Sequence, residues 1–155
     1  MATVQLNGLT DREGAIDAVL RFVEGLDDNN SELIYSAFTE DASVDLRQLS
    51  NIGKDFHELQ GREKIMATLL KGIGPIDTSH MLNNFRVVID GHKASLTCYA
   101  LAQHFRAGEG PPPHTNEFLM CNRYQAEIVR ENDQMWRIQR IAIRCAWSTG
   151  DLGVL

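Results

Sequence analysis

HMLNNFRVVID (residues 80–90), KASLTCYALAQHFR (93–106), NEFLMCNRYQAEIVRE (116–131) and QMWRIQRIAIRCAW (134–147) are four long runs rich in Val, Ile, Leu, Phe, Tyr and Thr. Short turn clusters separate them: Asp90-Gly91, residues 108–113, and Glu131-Asn132-Asp133. Long β-branched and aromatic runs split by such clusters read as an antiparallel meander. The second run carries two alternating series. Cys98, Ala100, Ala102 and His104 are small residues that end in a titratable one, while Tyr99, Leu101, Gln103 and Phe105 are bulkier. A face of small residues closed by an imidazole suits the wall of a ligand space. Along 80–90 the alternation leaves the facing of His80 open. Its own series (Leu82, Asn84, Arg86, Val88) is half polar, and the other is Met81, Asn83, Phe85, Val87 and Ile89.

The first half has a different period. Thr10 and Asp11 precede Ile16, Val19, Leu20, Val23 and Leu26, apolar at spacings of three and four, with Phe22 widening the stripe. That pattern predicts an amphipathic helix with an N-cap ahead of it, stopping at the turn cluster 27–30. Ser31 caps a second short helix in this reading, with Leu33, Ile34, Ala37 and Phe38 inward. ASVDL (42–46) alternates as a short strand, residues 48–60 read as loop, and Gly61-Arg62 open a third helix with Ile65, Met66, Leu69 and Leu70 as its stripe. Gly72, Gly74 and Pro75 end it. Helices first and sheet afterwards predict an α+β chain with the helices on one face of a curved antiparallel or mixed sheet. Such a sheet closes into a cone that suits a small ligand.

The composition narrows the function classes. One domain over 1–155 is expected from the length, large enough to fold without disulfides or metal. The net charge of −6, with no basic tract, argues against nucleic acid as a partner. No stretch approaches a membrane span, and MATVQLNGLTDREG has no basic n-region or apolar h-region, so neither membrane nor secretory signal is expected. Cys98, Cys121 and Cys145 are odd in number, far apart and placed in strand runs. They read as reduced sheet residues of a cytoplasmic protein. None of the five histidines has a spacing that puts two imidazoles on one face, and no nucleotide-binding loop or nucleophile elbow is present. No metal and no cofactor are expected.

Two ionisable residues fall against the pattern. Asp27 continues the inward row Val19, Val23, and a carboxylate at a helix C-terminus meets the unfavourable end of the dipole. His104 closes the small-residue series. A carboxylate with an imidazole is a general-base device, because the carboxylate fixes the ring tautomer and stabilises the imidazolium. A second histidine nearby would give a proton to a leaving oxygen. The set suits elimination, dehydration or enol-mediated isomerisation.

The layout resembles the SnoaL-like group of the NTF2-like superfamily, which includes scytalone dehydratase, lindane dehydrochlorinase and bile-acid 7α-dehydratase. The likeness covers roughly residues 11–150. It rests on EGLD (24–27) at the end of helix one, DASVD (41–45), Gly61-Arg62-Glu63, TSHMLNN (78–84), the strand ending at His104, and Trp136 and Trp147. It implies an NTF2-like cone and assigns Asp27 and His80 as the catalytic dyad, with His104 as a second active-site histidine. Arg144 lies near a functional arginine of the bile-acid enzyme and is expected to stabilise an enolate or carboxylate. Two tyrosine positions of scytalone dehydratase hold Leu26 and Leu46 here, so its way of activating the carbonyl does not carry over. Val23, Leu26, Leu46, Cys98, Ala102 and Trp147 are the expected substrate wall.

The expected function is a cofactor-independent dehydratase, isomerase or cyclase of secondary or xenobiotic metabolism, acting on a hydrophobic oxygenated small molecule of polyketide or terpenoid type. The competing readings are a non-catalytic ligand-binding module and a partner resembling the small subunit of ring-hydroxylating dioxygenases. An apolar outer sheet face with Leu119, Tyr124, Ile128 or Ile141 would favour a homodimer or homotrimer. His114 reads as exposed at the end of a stiff Pro-rich loop.

Overall fold

The computed structural model describes residues 8–113 and 116–155. His114 lies outside the described residues. Helix α1 (Asp11–Asp27) begins with a reciprocal cap: the Glu13 amide donates to Thr10 Oγ1, and the Thr10 amide donates to Glu13 Oε2 at 2.7 Å. Its buried face is Ala15, Ala18, Val19, Phe22, Val23 and Leu26, whereas Leu20, expected inward, is exposed. Helix α2 (Ser31–Ala37) is capped one residue earlier than expected, by Asn30, whose Oδ1 accepts from the Leu33 amide at 3.1 Å.

Strand β1 (Phe38–Asp45) starts four residues before the predicted strand, since Phe38 leaves the helix and packs edge-on against Phe22 with ring centroids 5.0 Å apart. A 3₁₀ segment (Arg47–Ile52) follows. The predicted loop then hides a short strand β2 (Glu58–Gln60), which pairs antiparallel with β1. Helix α3 (Arg62–Gly72) leads into β3 (Asp77–Asp90), β4 (Lys93–Phe105), β5 (Glu117–Arg130) and β6 (Trp136–Gly150), and a last 3₁₀ turn covers Leu152–Val154. The six strands lie in the order β2-β1-β6-β5-β4-β3. The meander β3–β6 is antiparallel as expected, but β1 joins β6 in parallel, so the sheet is mixed. The sheet is curved and unclosed, the helices cover one face, and the chain is α+β with an NTF2-like architecture.

The core occupies the helix-facing side. Ala94, Leu96, Cys98, Ala100, Ala102 and His104 of β4 are all buried, and residues 93, 95, 97 and 99 are exposed. On β5 the even-numbered residues from Phe118 to Ile128 are buried. The expected outer apolar patch is therefore corrected. Tyr124, Ile128 and Ile141 are core residues, and the exposed large apolar side chains of the outer sheet face are Met81, Val88, Tyr99 and Trp147. Among the described residues no helix is long and apolar enough to cross a membrane.

Two helix–helix and helix–sheet approaches are close enough to exclude any side chain. A Cβ on Gly14 would stand 2.5 Å from Trp136 Cδ1, and one on Gly25 would stand 2.5 Å from Ile34 Cγ1 and 3.0 Å from the Ile34 amide nitrogen. Because the Ile34 backbone is fixed by helix α2, Gly25→Ala is expected to cost about 1–3 kcal/mol despite alanine's better helix propensity. Chemical denaturation checks it; a neutral or stabilising result would show that α1 and α2 slide apart freely.

Candidate active site

Asp27 is the last residue of α1, at the end where helix carbonyls repel a carboxylate. Strand β3 supplies what offsets this. Asp27 Oδ1 accepts from Thr78 Oγ1 at 2.8 Å and from His80 Nδ1 at 2.6 Å, and its Oδ2 accepts from the His80 amide at 2.8 Å. Burial pushes the Asp27 pKa up, but the hydrogen bonds and charge of His80, with Thr78, outweigh it and hold the carboxyl below its usual range. An ionised carboxylate only accepts, so Nδ1 of His80 carries a proton, and in the neutral ring the lone pair is on Nε2. That Nε2 makes no hydrogen bond to the described residues, and His80 lines a cavity.

The facing of His80 that periodicity left open is decided by a bulge. Thr78, His80 and Leu82 pair with His104, Ala102 and Ala100, facing inward. Between Asn83 and Arg86 the register shifts, and Asn84 takes a left-handed φ of 55°. Beyond it Phe85, Val87 and Ile89 face inward instead. The inner face thus splices the first half of one alternating series to the second half of the other.

His104 is the diagonal neighbour of His80 on the same inner sheet face, its ring 5.9 Å from that of His80 and nearly perpendicular to it. It is 3% exposed. Its Nδ1 donates to the Phe118 carbonyl at 3.0 Å, so Nε2 is left as an acceptor. Burial lowers its pKa to about 4, with the Phe118 hydrogen bond only partly opposing. His104 is therefore neutral near pH 7, and the expected second proton donor is corrected to a hydrogen-bond acceptor.

This has a pH consequence. Between about pH 6.5 and 4 an unfolded His104 binds a proton that the folded one refuses. Folding stability is then full above that window and declines as pH falls through it, with a slope from this group approaching about 1.4 kcal/mol per unit. In His104→Gln this part of the slope is expected to disappear, as read by denaturant titrations at stepped pH. An unchanged slope would mean that His104 protonates freely in the folded state.

The cavity measures about 100 Å³ and is lined by Leu26, Leu46, Ala102, His80, His104 and Asn122 among others. Leu49, Phe56, Leu69, Ile73 and Leu155 complete its apolar wall. Of the expected wall, Leu26, Leu46 and Ala102 stand at the cavity. Val23 and Cys98 are buried in the core without lining it, and burial raises the Cys98 thiol pKa to about 12, leaving it inert. Two expectations are corrected. Arg144 is exposed on the outer face, directly opposite Arg123, because Ile141, Ile143 and Cys145 take the inner positions. Trp147 is 49% exposed on the same outer face. A bulge at Ala146, where Cys121 pairs with Trp147 but Asn122 with Cys145, turns Trp147 away from the side that a plain alternation gives it.

The sequence reading missed Asn122. It is 5% exposed, lines the cavity, and its Oδ1 has no hydrogen-bond partner among the described residues. Buried polar groups are ordinarily paired, so an unpaired carbonyl oxygen in the wall of the cavity that the two imidazoles also line can accept from a ligand's donor. The signal was available: Asn122 interrupts the buried even-numbered series of β5 between Met120 and Tyr124. Among the described residues no group of three or more His, Cys, Asp or Glu is placed to hold a metal ion.

Comparison with known proteins gives the family and the fold. The family model of the SnoaL-like domain matches residues 7–142. Protein E of the terrestric acid biosynthesis cluster of Penicillium crustosum is 33% identical over 148 residues, covering 94% of this chain and 90% of that protein. A scytalone dehydratase-like protein from Novosphingobium aromaticivorans superposes with a TM-score of 0.69 at 25% identity, over 88% of this chain and 85% of that one. A hexachlorocyclohexane dehydrochlorinase from Novosphingobium barchaimii superposes with a TM-score of 0.70 at 19% identity, over 90% of each chain.

Proposed function

The chain belongs to the SnoaL-like domain family, and from that premise we propose that it is a cofactor-independent lyase or isomerase acting on a small, hydrophobic, oxygenated molecule. The observation that carries this reading is the 2.6 Å contact between Asp27 Oδ1 and His80 Nδ1, with the far side of the His80 ring at an apolar cavity. His80 Nε2 takes an acidic C–H proton from the substrate, and Asp27 stabilises the imidazolium that forms. Asp27 itself stays behind the ring and touches no substrate. His104 Nε2 and Asn122 Oδ1 accept hydrogen bonds from substrate hydroxyls and set its orientation. Loss of a hydroxyl from the adjacent carbon completes a dehydration, with the His80 proton passing to the departing oxygen. Return of the proton at another carbon completes an isomerisation. The likeness to a fungal biosynthesis-cluster protein and to dehydratase and dehydrochlorinase structures supports this class of chemistry.

The cavity volume of about 100 Å³ favours a second reading, a ligand-binding module without turnover. The two separate on one experiment. Ligands of polyketide, terpenoid and sterol type are screened by thermal shift, and each binder is incubated with the protein and weighed by mass spectrometry and NMR. Loss of the mass of water, or an isomer of unchanged mass, supports the enzyme. Binders recovered unaltered support the module. A substrate larger than the cavity enters only if a wall such as Phe56, Ile73 or Leu155 yields.

A further inference from the structure

The outer face of the sheet holds a hollow of about 300 Å³, lined by Gln48, Thr97, Tyr99, Arg123, Gln125 and Arg144 together with backbone of the strands beneath. The strand register explains it. Tyr99, Arg123 and Arg144 form one rung across β4, β5 and β6, and Thr97, Gln125 and Ala142 form the next rung on the same face. Five of these six positions carry long or polar side chains. Ala142 is the small one, so the floor drops there, and Gln48 from the 3₁₀ segment closes the side.

What sets this hollow apart is that two like charges meet in it. Arg123 and Arg144 are directly opposite in the ladder, an arrangement that destabilises a sheet unless something neutralises it. Some arginines have carboxylates: Arg47 has Asp45 and Glu58, Arg130 has Asp11, and Arg137 has Glu131 and Asp133, whereas Arg12, Arg62, Arg86 and Arg140 form no ion pair among the described residues. Arg123 has none among the described residues. It stacks on Tyr99 at 3.4 Å from the ring centroid and gives one N–H to Cys121 Sγ at 3.2 Å. The stack fixes its plane and leaves most of its donors unpaired. Arg144 makes no hydrogen bond or ion pair to any described residue. All this sits in a chain of net charge −6, in which carboxylates outnumber cations.

We propose that this hollow is a second ligand site, separate from the His80 cavity, in which Arg123 and Arg144 hold the carboxylate or phosphate of a small molecule. Guanidinium forks match planar oxyanions with paired N–H donors, and an anion between the two arginines removes their mutual repulsion. Thr97, Gln48 and Gln125 offer further hydrogen bonds around the anion, and the exposed edge of Tyr99 gives an organic ligand an apolar contact. The site does not depend on the function proposed for the dyad.

The test is isothermal titration and thermal shift with sodium benzoate and with inorganic phosphate, at ionic strength held constant with chloride. Saturable binding of either anion is expected, weakened about tenfold or more in Arg144→Gln. Ala142→Leu, which fills the floor and keeps both charges, is expected to weaken benzoate similarly. His80→Gln, altered only in the inner cavity, is expected to leave binding unchanged. Benzoate binding without phosphate binding assigns carboxylates, and the converse assigns phosphates. No saturable response to either, or equal binding in Arg144→Gln, overturns the proposal. So does a change of oligomeric state in Arg144→Gln without loss of anion binding, which would assign the arginines to a second copy's carboxylates.

Discussion

Replacing His80 by glutamine is expected to cut turnover by roughly 10²–10⁴-fold while the protein stays folded, because the change removes the one imidazole at the cavity that, among the described residues, has a carboxylate behind it. Glutamine fills a similar volume and keeps the backbone amide that donates to Asp27 Oδ2, so the helix end remains tied to β3. Asp27→Asn is the companion variant. Its amide presents donors where a carboxylate presents only acceptors, so it no longer selects the Nδ1–H tautomer that frees Nε2, and it withdraws the charge that stabilises the imidazolium. A large loss in kcat is expected, with little change in KM, since Asp27 does not line the cavity. Full activity in a folded His80→Gln protein would sink the dyad mechanism. Loss of both activity and fold in Asp27→Asn, with His80→Gln still folded, would instead assign Asp27 to anchoring the helix.

The second large effect is structural. Arg21→Met is expected to destabilise the fold by about 3–5 kcal/mol. Arg21 is 2% exposed. Its Nε donates to Asp17 Oδ2 at 2.6 Å, its Nη2 to the Trp136 carbonyl at 2.6 Å, and its Nη1 to the Ser36 carbonyl. One guanidinium thus pins α1 to the end of α2 and to the start of β6. Methionine preserves the apolar stem but leaves two carbonyls without donors and Asp17 without its ion pair. Burial lowers the Arg21 pKa and Asp17 opposes the shift, as expected of a cation kept charged in the core by its partners. Denaturant midpoints measure the change; a loss below about 1 kcal/mol would mean that water replaces the guanidinium at those carbonyls.

Much of this was legible in the sequence because burial leaves a period. The four strand runs, the inward row ending at Asp27, and the small-residue face ending at His104 all sit where their spacing predicted. What spacing left open or misplaced were positions where one residue resets the count. The bulge at Asn83–Arg86 turns His80 inward from a half-polar series, and the bulge at Ala146 turns Trp147 outward from an apolar one. A two-residue period has no memory across an inserted residue, so neither facing was readable from one strand alone. Strand β2 was hidden for another reason. It is three residues long, and its existence depends on β1 lying beside it. Arg144 was readable, since Ile141, Ile143 and Cys145 claim the inner positions around it. The likeness to a functional arginine drew it inward against its own alternation. The donor role expected of His104 failed on a contact between strands: the Phe118 carbonyl fixes the proton on the wrong nitrogen for that task.

The parallel pairing of β1 with β6 also bears on how the chain acquires its shape. Phe38 stands beside Ile138, and Val44 beside Ile141, so these partners are separated by roughly two-thirds of the sequence. Contacts of such long range raise the contact order and demand a large loop closure before any reward is gained. During synthesis Asp27, His80 and His104 all emerge before β6 does. A ribosome paused ahead of Trp136 would therefore carry Asp27, His80 and His104 on a chain whose first two strands pair only with each other. The last long strand to be translated is the one that unites the two halves of the sheet, and its Ile143 lines the cavity, so the cavity wall is completed late in the birth of the molecule.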